Sequence, residues 1–270
     1  MTTTATTMPQ YHIAVKAAQE AAEILKQMRK EGFKTNFKGA RDLVTSADIA
    51  AEGVIIDTIR SAFPDHTILS EESSPNKHPE VLGAEHLWII DPIDGTTNFA
   101  HGIHQVGISI AYVSRGAIQV GVVHAPFLSE VFAAERGRGS TLNGAPIRAH
   151  DPETVESALV ATGFPYDRSN LGPIQRRFER ILPRCRDLRR MGAASLDLCF
   201  TACGRLNAYY ETCEVWDIAA GALIAREAGC LVSPFTPLPE PWSQYQELYP
   251  VDLLAAGPKL HGLIRELFDS

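Results

Sequence analysis

Cysteine is scarce in this chain and odd in number: five in 270 residues, at Cys185, Cys199, Cys203, Cys213 and Cys230. No Cys-x-x-Cys pair occurs. Both features argue against a disulfide framework and a thiolate zinc site, and they fit a reducing, cytoplasmic setting. Positive charge is in deficit. Lys and Arg number 25 against 32 Asp and Glu, for a net charge of −7. That balance argues against a protein whose main work is to coat DNA, because neutralising phosphates takes an excess of cations. No apolar run of about 18 residues occurs, so no membrane-spanning helix is expected. The first ten residues are Thr-rich and lack the basic and apolar segments of a signal peptide, so 1–10 reads as a loose tail.

What is present is an ordinary globular balance. Apolar residues make up 45% and charged residues 21%, which excludes disorder and collagen. A chain of this length buries roughly 75% of its unfolded surface. That is enough for one large domain or two packed halves.

Ile13, Ala17, Ala21, Ile24, Leu25 and Met28 recur at helical spacing, and Gly32 stops the helix. Asp42 to Thr45 is extended. A second helix carries Ile49, Ile56, Ile59 and Phe63. Thr67 to Glu71 reads as a strand that ends in acid, and Leu87 to Ile90 as a buried strand. From Gln105 to Ala149 apolar residues alternate, Arg115-Gly116 turns, and Asn143-Gly144 signals a hairpin. Beyond Asp151 strands and helices alternate: strands at 158–161, 188–191, 206–210 and 253–255; helices at 173–182, 195–202, 217–228 and 259–268. Residues 234–250 read as a Pro-rich loop. The pattern predicts an α+β subdomain over 11–150 and an α/β subdomain over 151–270, tightly packed on one interface.

The most informative segment runs from Trp88 to Phe99. A buried strand delivers Asp91 and Asp94 to its C-terminal end, bracketing Pro92. Gly95 permits a tight turn, and Thr96-Thr97 opens a short helix whose free N–H groups suit a phosphate. Acids and a phosphate repel one another unless a cation lies between them. At about 4 Å and an effective dielectric of 20, each like-charge pair costs roughly 4 kcal/mol. Mg²⁺, held by carboxylates and substrate phosphate, removes that cost.

Other residues carry weaker signals. Glu71-Glu72 follows a strand end and also fits a solvated loop. Asp217 opens a helix and fits an N-cap. Thr45-x-x-Asp48 matches a capping box. His101 and His104 stand at i, i+3, with no third nitrogen or sulfur ligand nearby for zinc. Ser195 has no sequence-near His, so no triad can be argued from it. Arginines cluster between Arg168 and Arg190, which fits a solvated or dimer-facing surface and makes a minor candidate for nucleic acid or an acidic partner.

Taken in order, these blocks resemble the inositol monophosphatase family, the magnesium-dependent, lithium-sensitive phosphatases. Asp42-Leu-Val-Thr-Ser-Ala-Asp48 is similar to its D-x-V-T-x-x-D, and Ser70-Glu71-Glu72-Ser73 to its G-E-E-S. Asp91-Pro-Ile-Asp94-Gly95-Thr96-Thr97-Asn98-Phe99 matches D-P-I-D-G-T-x-N-F. Trp216-Asp217-Ile-Ala-Ala-Gly221 matches W-D-x-A-A-G. Gly163-Phe-Pro-Tyr-Asp167 is common in bacterial members. The resemblance spans about residues 10–268.

It implies a layered α-β-α-β-α sandwich, often a homodimer. It implies two or three Mg²⁺ ions per site, held by Glu71, Asp91, the Ile93 carbonyl, Asp94 and Asp217. It implies that Thr96, hydrogen-bonded to Asp48, positions or deprotonates the attacking water together with Glu71. Gly95 and Thr96 would offer N–H groups to the phosphate. Gly192 and Ala194 would line the polyol side, with Asp94 and Asp217 also facing substrate. Glu211 would bind substrate hydroxyls. Two departures stand out. Ser70 replaces the usual Gly, and Glu211 lies six residues before Asp217, one fewer than in family members, which leaves Glu214 as its alternative.

The implied reaction is hydrolysis of a phosphate monoester, inositol-1-phosphate first, by in-line attack of water. Fructose-1,6-bisphosphatase, histidinol-phosphatase and 3′-nucleotidase activities are alternatives within the family. A transcription- or RNA-associated interaction protein is an alternative of another class.

Overall fold

The computed structural model describes residues 7–37, 43–74, 79–165, 169, 171–235, 240, 242–248 and 252–269. Asp42, Tyr166, Asp167 and Arg168, singled out from the sequence, lie outside the described residues.

Helix α1 spans Pro9–Glu31. It starts within the stretch expected to be a loose tail, because Pro9 sits in the first turn, where a missing N–H costs nothing. Its buried face is almost all alanine: Ala14, Ala17, Ala18, Ala21 and Ala22, with Leu25. Gly32, at φ 101°, ends it as expected. Strands β1 (Thr35–Phe37) and β2 (Leu43–Thr45) pair antiparallel and lead into α2 (Ser46–Ala62).

Strand β3 (Thr67–Ser70), a single turn α3 (Pro79–Leu82) and strand β4 (His86–Asp94) follow, with β3 and β4 parallel. After the short α4 (Thr96–Ala100) comes the expected meander: β5 (Gly107–Ser114), β6 (Ala117–Ala125), β7 (Glu130–Glu135), β8 (Ser140–Leu142) and β9 (Ala145–Pro146). Strands β3 to β9 form one seven-stranded sheet in sequence order.

The second sheet has five strands in the order β11-β10-β12-β14-β13. They are β10 (Leu159–Thr162), β11 (Asp187–Arg189), β12 (Ala208–Thr212), β13 (Leu231–Pro234) and β14 (Asp252–Ala256). Helices α5 (Gly172–Ile181), α6 (Ala194–Ala202), α7 (Val215–Glu227) and α8 (Pro258–Asp269) connect or flank them. Strand β13 escaped the sequence reading. It is a short edge strand ending at a proline, a position where the missing N–H faces no ladder. Part of the Pro-rich stretch is regular too, as a 3₁₀ turn at Trp242–Tyr245.

The layers follow from which faces are apolar. Every residue of α6 is buried, and so is almost all of α7 from Val215 to Ala225. A helix apolar on all sides needs cover on all sides. These two form the middle layer, between the two sheets. Helices α1 and α2 cover the outer face of the large sheet, and α5 and α8 pair beyond the small one, with α8 against β14. The result is the expected α-β-α-β-α arrangement. The ends of β3 and β4 and the N-termini of α6 and α7 meet at one place.

Candidate active site

Strand β4 does not stop at Ile90, as its apolar run suggested. It continues to Asp94 through a register shift. Asp91 pairs with Ser109 and Asp94 with Gly107, so β4 carries one residue more than β5. The extra residue is a β-bulge, which re-aims side chains. It turns Asp91 and Asp94 to the same side. Gly95 follows in the left-handed region at φ 93°. A Cβ on it would lie 3.0 Å from the Gln105 carbonyl and 3.1 Å from that of Gly192.

Asp217 arrives from α7. The sequence suggested that it opens this helix, but Glu214 is the N-cap and Asp217 the third helical residue. Asp217 Oδ2 accepts the Glu214 N–H at 2.8 Å, completing a capping box. Carboxylate oxygens of Asp91, Asp94 and Asp217 all lie within 4.8 Å of one another.

Glu71 stands near these three at the end of β3, outside the group that converges within 4.8 Å, and its N–H donates to the Ile90 carbonyl at 3.2 Å. Its charge acts on all three aspartates. Ser70, before it, is wholly buried and its hydroxyl has no hydrogen-bond partner.

Burial first, and then mutual repulsion, hold Asp91 and Asp217 well above the usual carboxylate range. Burial also lifts Asp94, to about 6, and three hydrogen bonds from α6 restrain that rise. Acids so placed cannot all ionise without a cation among them. The donors are all carboxylate oxygens, which suits a hard divalent ion. Among the described residues no cysteine or histidine joins the converging group, and His101 and His104 are exposed. Among the described residues no other group of three potential ligands converges.

Asp48 both caps α2 and meets Thr96. Its Oδ2 accepts the Thr45 N–H and hydroxyl, each at 2.7 Å, capping α2. Its Oδ1 lies 3.1 Å from Thr96 Oγ1. The same Thr96 hydroxyl lies 3.0 Å from the Ile93 carbonyl. With one proton, it donates to one acceptor at a time. Burial raises the Asp48 pKa against these hydrogen bonds.

A cavity of about 80 Å³ adjoins the acids, lined by Asp94, Gly95, Gly192, Ala194, Glu211 and Asp217 among others. Glu214 is absent from its walls and caps α7 instead. Glu211 takes the Tyr209 hydroxyl at 2.6 Å. Its carboxylate rests directly on Gly163, where a Cβ would come within 1.8 Å of it. Burial pushes Glu211 up to about 7, while the Tyr209 hydrogen bond and the Arg190 charge pull it down.

Four contributors have no role assigned to them from the sequence. Asn98 Nδ2 donates to the Gln105 and Met191 carbonyls at 2.8 and 2.9 Å, tying the Thr96–Ala100 turn to the loop before α6. Arg190 and Phe164 stand at the cavity wall. Ser195 donates to Asp94. Asn98 lies inside the strongest motif, Phe164 inside the Gly163 to Asp167 block and Arg190 at the end of the arginine cluster; only Ser195 carries no local signal.

The arginine cluster is partly neutralised within the chain. Arg177 pairs with Asp252 at 2.7 Å, Arg189 with Asp187 at 2.6 Å, and Arg180 donates to the Phe268 carbonyl. Among the described residues no helix is long and apolar enough to cross a membrane.

Comparison with known proteins matches this geometry to a family. The model of the inositol monophosphatase family fits residues 8–269. A Nus factor SuhB of Pasteurella multocida is 38% identical over 256 residues, spanning 93% of this chain and 92% of that protein. The extragenic suppressor protein SuhB of Bartonella henselae superposes with a TM-score of 0.87 at 30% identity, over 97% of this chain and 99% of that one. The inositol monophosphatase of Anabaena gives a TM-score of 0.80 at 33% identity, over 96% and 95%.

Proposed function

We propose that this chain, which belongs to the inositol monophosphatase family, is a magnesium-dependent phosphatase that hydrolyses a small phosphorylated polyol or sugar, inositol-1-phosphate first among them. The observation that carries the reading is the meeting of Asp91, Asp94 and Asp217 within 4.8 Å, beside a small polar cavity.

In this reading Glu71, Asp91, the Ile93 carbonyl, Asp94 and Asp217 hold two or three magnesium ions. When bound, magnesium supplies a Lewis acid that acidifies water and offsets charge on the phosphoryl and leaving oxygens. The chain does the rest by positioning. The Thr96 hydroxyl, donating to Asp48, presents its lone pairs to a water and fixes that water in line with phosphorus. Asp48 and Glu71 are the groups able to take up its proton. The Gly95 and Thr96 N–H groups face the phosphate. Gly192 and Ala194 leave room for the polyol ring, and Glu211 accepts from its hydroxyls. Residues 11–150 supply most metal ligands, and 151–270 complete the site with Asp217 and the polyol wall. No protein nucleophile is needed, since Ser195 is committed to Asp94.

Lithium sensitivity, a homodimer and a cytoplasmic setting belong to the same reading. Phosphate release from a panel of monoesters tests it, with Mg²⁺, with chelator and with added Li⁺. Inositol-1-phosphate, fructose-1,6-bisphosphate, histidinol phosphate and a 3′-nucleotide separate the family's activities. Failure to release phosphate from any of them would sink the reading.

A second reading is favoured by the name of the relative from Pasteurella multocida, Nus factor SuhB. On it the chain also contacts the transcription machinery, and the exposed Arg176, Arg184 and Arg186 supply a basic edge. A salt-dependent pull-down of RNA or RNA polymerase, lost in an Arg176→Glu, Arg184→Glu double variant, is the expected result; no capture by the wild-type chain removes it.

A further inference from the structure

Three donors at the start of α6 converge on Asp94. The Ala194 N–H reaches Oδ1 at 3.1 Å, and the Ser195 N–H reaches Oδ2 at 2.7 Å. The Ser195 hydroxyl donates to the same Oδ2. The two amides come with the helix whatever its side chains. The hydroxyl depends on residue 195 being serine.

Ser195 is wholly buried and does not line the cavity, so it cannot meet substrate. Its hydroxyl stands in a space that another residue leaves open. A Cβ on Gly107 would lie 2.6 Å from Ser195 Oγ, closer than real contacts allow. Gly107 is the ladder partner of Asp94 on β5. The three positions are thus interlocked: the strand opposite Asp94 gives up its side chain, and the serine of α6 fills that space to reach the carboxylate.

We propose that Ser195 is a positioning residue for the metal site, its hydroxyl held in the gap over Gly107 so that Asp94 keeps the orientation in which it meets Asp91 and Asp217. This rests on the reading of Asp94 as a magnesium ligand. An aspartate turns easily about its last torsion, which has broad minima. Two donors on Oδ2 and one on Oδ1 stop that rotation and leave Oδ1 the less occupied oxygen. Partners of this kind behind a metal ligand typically change affinity 10–100-fold when lost.

The test is Mn²⁺ titration of the purified chain, with free Mn²⁺ followed by electron paramagnetic resonance. Ser195→Ala removes the hydroxyl. Gly107→Ala keeps it but takes its space. Each is expected to weaken Mn²⁺ binding by roughly 10-fold or more. The double variant is expected to be no weaker than the worse single one, because both remove the same hydrogen bond. The Mg²⁺ concentration for half-maximal phosphate release should rise in parallel, with most of kcat recovered at saturating Mg²⁺. A merely structural serine would lower the melting temperature and leave Mn²⁺ affinity alone. Ser195→Cys fills the space with a somewhat bulkier and weaker donor and decides the matter if the alanine variant does not fold. Wild-type affinity in a folded Ser195 variant overturns the proposal alone. A wild-type chain that binds no Mn²⁺ overturns the metal-site reading and the proposal with it.

Discussion

Asp91 and Asp94 stand three residues apart on one strand and offer oxygens to a single cluster. In a regular strand, residues an odd number apart point to opposite faces. The bulge removes that difference: Asp91 to Asp94 is three steps on β4, and their partners Ser109 and Gly107 are two steps apart on β5. Pro92 and Ile93 have no ladder partner in this register, so the proline breaks no pairing. The Asp-Pro-Ile-Asp spacing is the sequence form of a bulge that pairs two acids.

Crowding these acids favours function over stability. Asp91→Asn removes a buried carboxyl group whose ionisation is opposed, in the metal-free chain, by burial and by the neighbouring acids. The variant should melt higher than wild type in chelator at neutral pH, and Mg²⁺ should raise the wild-type melting temperature more than the variant's. Phosphate release should fall by about 10²–10³-fold, the usual loss when one electrostatic contact of a site is removed. Calorimetry with and without Mg²⁺, beside an activity assay, checks both halves.

Asp48 and Thr96 can be told apart. Thr96→Ala should cut activity while sparing α2, because Thr45 and Asp48 keep their capping box. Asp48→Ala should cut activity and also lower stability by about 1–2 kcal/mol, the usual size of a lost cap. Urea unfolding beside turnover separates the two. Equal stability losses would mean that the 3.1 Å contact of Thr96 with Asp48 matters to folding rather than to catalysis.

Glu211 makes stability pH-dependent. Its ordinary value near 4.5 is lifted to about 7 by burial. Between these values the folded chain holds a proton that the unfolded chain has released. Stability therefore falls as pH rises through this window and stays lower above it. Glu211→Gln cannot lose that proton. Its melting temperature relative to wild type should be higher at pH 8 than at pH 4.5, in chelator. A difference that does not change with pH would refute the assignment.

Gly163 has the job of leaving space. A methyl group there would overlap the Glu211 carboxylate. Gly163→Ala should move Glu211 and raise KM for a polyol phosphate more than it lowers kcat. The stability loss should be about 1–3 kcal/mol, as for other overpacked sites. Steady-state kinetics with inositol-1-phosphate read this directly. An unchanged KM would remove Glu211 from substrate recognition.

Much of this protein was legible in one dimension. Apolar periodicity marked α1 and α2, because each buries one face and leaves the other wet. The meander from Gln105 onward was marked by its alternating β-branched residues and its turns, although β5 and most of β6 are buried on both faces. The Asp91 to Phe99 block marked the centre of the site, because two acids, a glycine and a helix start must be contiguous to act together. Residues that act from a distance left fainter marks. Asp217 looked like an N-cap, and its true position as third residue of α7 depends on a bond to Glu214. Strand β13, Leu231–Pro234, lies just before the Pro-rich stretch and shows little in the sequence, since an edge strand needs few of the features that identify an interior one.

Local sequence alone thus determined which segments become helix or strand and where acids collect, because those depend on neighbours within a few residues. Tertiary structure decided how closely Asp91, Asp94 and Asp217 converge, that Glu211 rather than Glu214 lines the cavity, and that Ser195 reaches Asp94 in the space over Gly107. These depend on where chain ends meet after two sheets close on a buried pair of helices, and no short-range pattern encodes that meeting.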